Sequence, residues 1–239
     1  NLLFCYYMLS LAYEELKFFK ESIETSTKAI KVFEKYKNFQ VNKFNGLTEF
    51  NYQLFNRAVV YEKTFQYDKS IKDFEKLFEL IKNPNKGNQR ETTNYIRAAN
   101  SLSAIYAKKG DSKNEFKYKK IYYDSVYKFA NSDPYRLVAA NVTMGNYFNS
   151  VSNSQVAINH FNEAIKIANN TLQNSNLDYE DRSGILSYKM TAMVGKNTAF
   201  DRQDPDNERT KKLAFELIEL NKQFKLLDKR TDGYNYLVD

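Results

Sequence analysis

Four stretches of this chain can be laid over one another. In "MLSLAYEELKFFKESIETSTKAI", "FNRAVVYEKTFQYDKSIKDFEKLF", "LSAIYAKKGDSKNEFKYKKIY" and "MGNYFNSVSNSQVAINHFNEAI", a small residue (Ser10, Ala58, Ser103, Gly145) stands three positions before an aromatic (Tyr13, Tyr61, Tyr106, Phe148). The aromatics are 48, 45 and 42 residues apart. A short turn follows each, then a second segment in which Ser22-Ile23 is echoed by Ala29-Ile30, Ser70-Ile71 by Leu77-Phe78, and Ala157-Ile158 by Ala164-Ile165. The third copy is weaker, with Glu115-Phe116 and Tyr122. A chain of such units buries its apolar faces between successive copies, so the repeat constrains the fold more than any single residue does.

Each unit reads as two helices. In "NYIRAANSLSAIYAKKG", Tyr95, Ala98, Leu102, Ile105 and Tyr106 recur at three- and four-residue steps, a single apolar stripe. Only 7 glycines and 3 prolines occur in 239 residues, too few for a turn-rich sheet fold. Helix starts are marked by Asp133 before Pro134, Asp204 before Pro205, Asp111 after Gly110, and Ser154 after Asn153. The spacing predicts ten helices: 1–17, 19–37, 45–65, 67–82, 88–109, 112–130, 134–151, 155–173, 178–199 and 205–228. The last pair is recognisable mainly through Ala192, Ala199 and Ala214.

In the fourth copy Gly145, Phe148, Ala157, Phe161 and Ala164 stand where the tetratricopeptide repeat places its signature residues, and the chain resembles that family over nearly its whole length. The resemblance implies an all-α fold, a right-handed superhelix of about five antiparallel helix hairpins: 1–37, 45–82, 88–130, 134–173 and 178–228. Residues 1–239 are then expected to form a single repeat domain. The period is longer than the usual 34 residues or so, and no copy has the family's Trp or closing Pro. Long repeats of this kind are similar to those of bacterial peptide-sensing regulators and of kinesin light chains. Alanine at the hairpin crossing, with Phe161 filling the gap beside it, lets two helices approach closely.

The resemblance implies a protein- or peptide-binding module that presents the inner face of each first helix. On that face the third copy carries Arg90, Asn94, Arg97, Ser101, Ala104 and Lys108, flanked by Asn100. The fourth carries Arg136, Ala139, Thr143, Asn146 and Ser150, flanked by Asn149. Asn56 and Lys63 are the candidates in the second copy, and Lys189, Met193 and Lys196 in the fifth. Asparagine amides suit an extended peptide backbone and arginine suits a carboxylate, so an acidic or C-terminal-carboxylate peptide is the expected ligand. The clamp for chaperone tails is not reproduced, since Tyr7 and Leu11 stand where polar residues would be wanted.

The remaining features exclude more than they assign. The sequence has no GxxxxGK, GxGxxG, HExxH or CxxC motif, and one Cys with one His cannot build a Cys/His zinc site; a non-enzymatic role without cofactors is expected. His160 reads as surface or packing, and Cys5, in an apolar helix, as a small core residue. A net charge of +7 and 37 tyrosines and phenylalanines raise nucleic-acid binding as the alternative. Against it, many lysines alternate with acids at helical spacing, as in Asp68 with Lys72 and Lys69 with Asp73. A third reading is an accessory subunit of an enzyme complex. No apolar run reaches the roughly 20 residues that span a bilayer. The compartment stays open, with the cytoplasm taken as the expectation. The opening "NLLFCYYMLSLAY" begins with Asn and is apolar all round, which suggests a segment of a longer chain, the sensor or scaffold part of a bacterial regulator, or self-association as a homodimer through that helix.

Overall fold

The computed structural model describes residues 2–36, 45–81, 84, 88–174, 176–201 and 208–227. Among these there is no strand, and the ten helices are α1 (Leu2–Glu15), α2 (Phe19–Tyr36), α3 (Asn45–Lys63), α4 (Tyr67–Leu80), α5 (Gln89–Lys108), α6 (Ser112–Phe129), α7 (Pro134–Ser150), α8 (Ser154–Leu172), α9 (Tyr179–Asp201) and α10 (Glu208–Leu227). The expected boundaries hold to within three residues. Asp204 and Pro205 lie outside the described residues. The chain divides into two compact units, 1–122 and 123–239, with the boundary inside α6.

One turn builds the hairpins. Four residues after each signature aromatic, the backbone enters the left-handed region: Lys17 (φ 62°), Phe65 (φ 59°), Gly110 (φ 72°) and Ser152 (φ 60°). Around each runs the same pair of bonds that closes a helix C-terminus. The amides of Phe18, Gln66, Asp111 and Asn153 donate to the carbonyls of Tyr13, Tyr61, Tyr106 and Phe148 at 2.8–3.0 Å, and those of Lys17, Phe65, Gly110 and Ser152 donate to residues three before at 2.9–3.1 Å. The next helix starts at once. Asp111 caps α6 through the Asn114 amide at 3.0 Å, and Asn153 caps α8 through the Val156 amide at 3.4 Å. Ser154 is therefore not the cap: it is the first residue of α8 and is buried.

In the first unit, α3 packs on α1 and α2, and α5 on α3 and α4. Where the helices cross, the small residue of one faces a small residue twelve positions on. Ser22 donates its hydroxyl to the Ser10 carbonyl, and Ser70 to that of Ala58, each at 2.8 Å. The side chain stays small, so the backbones can approach, and the hydroxyl satisfies a carbonyl at the contact. Beside it, Phe55, Phe74, Leu77, Ala98, Leu102 and Ile105 form the core. Arg57 of α3 holds both carboxylate oxygens of Asp73 on α4, at 2.7 and 2.8 Å, and reaches Thr27 of α2 at 3.0 Å. Burial pulls the Arg57 pKa down, but the bonds and charge of Asp73 outweigh it and hold the guanidinium above its ordinary value. Asp73 thus pairs across helices, not with Lys69 as its spacing suggested. Asp68 likewise pairs with Lys109.

Cys5 is exposed, against expectation. It lies on a face of α1 with Leu2, Met8, Leu9 and Leu16, all exposed, while Leu3 and Ser10 face the core. An all-round apolar helix gives no sequence signal of which side is covered.

In the second unit, α7 packs on α8, and α9 on both. Ala157, Phe161 and Ala164 of α8 have no exposed surface, as the crossing required. Phe161 is enclosed by two glycines. A Cβ on Gly145 of α7 would stand 2.5 Å from its ring, and one on Gly195 of α9 only 2.3 Å away. The ring therefore fills space that two neighbouring helices leave by having no side chain there. His160, next to it, is half-buried: its ring stacks on Phe148 at 5.7 Å, and Nδ1 lies 3.2 Å from Asn141 Oδ1. Asn141 donates its amide to Tyr127 Oη (2.7 Å) and the Leu137 carbonyl (2.9 Å), so its oxygen must accept and His160 carries its proton on Nδ1. His160 is a packing residue.

Candidate functional site

The exposed face of α5 is the strongest candidate. Arg90, Arg97, Asn100 and Lys108 are exposed on it, and Ser101 and Ala104 half-buried between them. The two arginines are not free in solvent. Arg97 lies 4.9 Å over the Phe55 ring, and Arg90 lies 5.1 Å over Tyr52 and 5.8 Å over Tyr7. Lys108 sits 5.4 Å over Tyr67. Contact with rings of α1 and α3 orders both arginine side chains while leaving them exposed. The surface is thus a row of cations laid on aromatics, with small side chains alongside.

Two phenols and a carboxyl surround Arg90. Burial pushes the Tyr7 and Tyr52 phenols above their usual range, with Arg90 pulling the other way, and Arg90 hydrogen-bonds Tyr52. Burial also raises the Glu49 carboxyl, again opposed by Arg90, and one Glu49 oxygen, buried, has no partner.

Several residues expected on binding faces do structural work instead. Asn56 is buried and donates to Ser10 Oγ at 2.9 Å, tying α3 to α1. Asn94, on the same stripe of α5 as Arg90 and Arg97, is buried. Asn149 is buried and donates to the Gly195 carbonyl at 3.3 Å, holding α7 to α9. Lys63 is exposed but engaged with Glu14 at 2.7 Å. In α7, Arg136 closes on its own N-cap Asp133 at 3.0 Å, and Thr143 bonds the Ala139 carbonyl at 2.9 Å. Ala139 is itself buried, leaving Asn146 and Ser150 exposed there. Lys189, Met193 and Lys196 face α8 and α10, and Met193 is in the core with Leu213, Leu217 and Leu220. The exposed stripe of α9 is Ser187, Thr191, Val194 and Thr198. Sequence reasoning missed Tyr52 and Phe55, whose aromatic character reads as core until a cation is placed on them.

Residues 5–36 and 54–84 match the family model "Tetratricopeptide repeat", which are the first two hairpins. Among solved structures, the nearly identical TPR-like repeats attributed to a kinesin light chain of Podosopora anserina superpose with a TM-score of 0.64 at 13% identity, over 92% of this chain and 95% of that one. BtubC (BKLC) from P. vanneervenii gives 0.59 at 13% identity, over 88% and 78%. At these identities the likeness is one of fold. No curated protein matches in sequence. Two hairpins match the tetratricopeptide repeat, and the chain has a tetratricopeptide-like fold, all-α and built of helix hairpins among the described residues. Repeats of this type generally mediate protein–protein interaction or scaffolding, typically without enzymatic activity. Among the described residues no group of His, Cys, Asp and Glu could hold a metal, and no helix is long and apolar enough to cross a membrane.

Proposed function

We propose that this chain is a non-enzymatic peptide-binding module whose recognition surface is the exposed face of α5 in the first unit. One observation carries the reading: Arg90 and Arg97 are both exposed on one helix face and both lie over aromatic rings. An arginine whose side chain is already ordered loses less freedom on binding, and its planar fork matches a carboxylate. Two such groups seven residues apart on one helix stand about 10 Å from each other along its axis. That spacing suits an extended peptide with acidic side chains, or one acidic side chain and a free C-terminus. Asn100 and Ser101 supply donors and acceptors for its backbone.

The test is an array of acidic, amidated and neutral peptides probed with the wild-type chain, Arg90→Ala and Arg97→Ala. Acidic peptides should be retained by the wild type and lost by each variant, with affinity down about tenfold or more. Equal capture by all three proteins would remove the surface. The finer reading, a sensor or scaffold segment of a bacterial transcriptional regulator, rests on the long repeat period alone, and a DNA-binding helix-turn-helix in the same gene product would support it.

A further inference from the structure

A cavity of about 350 Å³ opens between α8, α9 and α10 in the second unit. Its floor is apolar: Ile165 from α8, Met193 from α9, Leu213 and Leu220 from α10. Lys189 and Lys196, two turns apart on α9, line its wall together with Asn169 of α8. Glu216 and Glu219 of α10 complete the rim, but both are exposed, and Glu219 lies 3.5 Å from Lys222.

The two amines are in an unusual position. Both are half-buried. Lys196 lies 5.6 Å over the Phe200 ring, and Lys189 makes no hydrogen bond or ion pair among the described residues. Burial lowers the basicity of both, and the charge of Glu216 works against that. A half-buried ammonium without a bonded partner costs stability unless something supplies the partner. Glu216 is one carboxylate acting on two ammoniums, so an anion in the cavity would supply the second counter-charge, and an apolar tail would displace water from the apolar floor.

We infer that this cavity is a binding site for a small amphipathic anion, a carboxylate carrying a short apolar chain, with Lys189 and Lys196 on its head and Met193, Leu213 and Leu220 around its tail. The site is separate from the face of α5 and does not depend on the peptide reading. It also accounts for Lys189 and Lys196, which do not join the exposed stripe of α9.

The test uses decanoate as the probe, with decanol and decylamine as the uncharged and cationic comparisons. Titration calorimetry on the whole chain gives affinity. Methyl-labelled methionine spectra give the location, since the chain has only four methionines and Met193 alone lines the cavity. Decanoate should bind and shift the Met193 methyl, leaving Met8 unmoved. Lys189→Gln and Lys196→Gln should each weaken it about tenfold, and decanol should bind less tightly than decanoate by at least that factor. The inference is overturned if decanoate fails to bind the wild type or if decanol binds as well. It is equally overturned if the double lysine variant, folded by circular dichroism, keeps its affinity, or if Met8 shifts in place of Met193.

Discussion

Gly195→Ala is the most demanding test of how the second unit is packed. Two opposing effects decide its sign. Alanine favours a helix over glycine by about 1 kcal/mol, so on an open helix the substitution would stabilise. Here the new Cβ would stand 2.3 Å from Phe161 Cζ and 2.7 and 2.9 Å from the neighbouring ring carbons. Phe161 is fully buried, and its ring cannot retreat toward α7, because the Gly145 backbone already stands against it. Overpacking costs about 1–3 kcal/mol, and a contact this short on a fully buried ring takes the upper half of that range; less the propensity gain of about 1 kcal/mol, a net loss of about 1–2 kcal/mol is expected. In a chain of this size that lowers Tm by a few degrees, roughly 2–4 °C per kcal/mol. Gly184→Ala is the control. Its Cβ would meet Tyr135 Cε2 at 2.7 Å, yet Tyr135 is 41% exposed and can swing aside, so that variant should be neutral or slightly stabilised. Thermal and urea unfolding by circular dichroism measure both. Adding Phe161→Leu should cost less in the Gly195→Ala background than in the wild type, since the smaller side chain relieves the clash. A Gly195→Ala chain as stable as the wild type, or strict additivity with Phe161→Leu, would refute the packing drawn here.

Other expectations follow from single contacts. Ser152→Gly should stabilise by about 1 kcal/mol, because Ser152 holds φ 60° at an exposed turn where only glycine is unstrained; an unchanged or lowered Tm would contradict that. Asp73→Asn should destabilise by about 2–3 kcal/mol, since it leaves the half-buried Arg57 without its counter-charge, and urea denaturation would show it. Burial lowers the His160 pKa, so the folded chain disfavours its charged form. Between its folded pKa and about 6.5 the unfolded chain binds more protons, and stability should fall as the pH drops through that window. His160→Phe should lose less stability than the wild type on acidification from about pH 8 to pH 5, and parallel curves would rule the effect out.

How much of this was legible in the sequence depends on the range of the interactions concerned. Helices, turns and the hairpin crossing were, because their signals are local: Asp133 caps the helix that Pro134 begins, and Ala157, Phe161 and Ala164 share one side of α8 as their spacing says. The turn residues were only partly so, since Lys17, Phe65 and Ser152 adopt a conformation that their types do not advertise. Partner choice was not legible. Asp73 has Lys69 four residues away, but Arg57 reaches it bidentately from another helix, and a fork in a buried site outweighs a flexible lysine in water.

Faces were harder still. Asn94 lies only about 40° to 60° round the helix from Arg90 and Arg97, yet it is buried while both arginines are exposed, because the edge of a helix face is set by how far the neighbouring helix reaches over it. Its amide polarity suggested solvent, yet Asn56, Asn141 and Asn149 show the same residue type at work inside, each with donors placed on a neighbouring helix or its own. Polarity in a repeat protein therefore does not separate a recognition surface from an inter-helix bond, because both need hydrogen-bonding groups at helical spacing. What separates them is whether a neighbouring helix has already taken those groups. On α5 it has done so only in part: Arg97 lies over the Phe55 ring, Arg90 lies over Tyr52 and hydrogen-bonds it, and both guanidiniums stay exposed with further donors to offer.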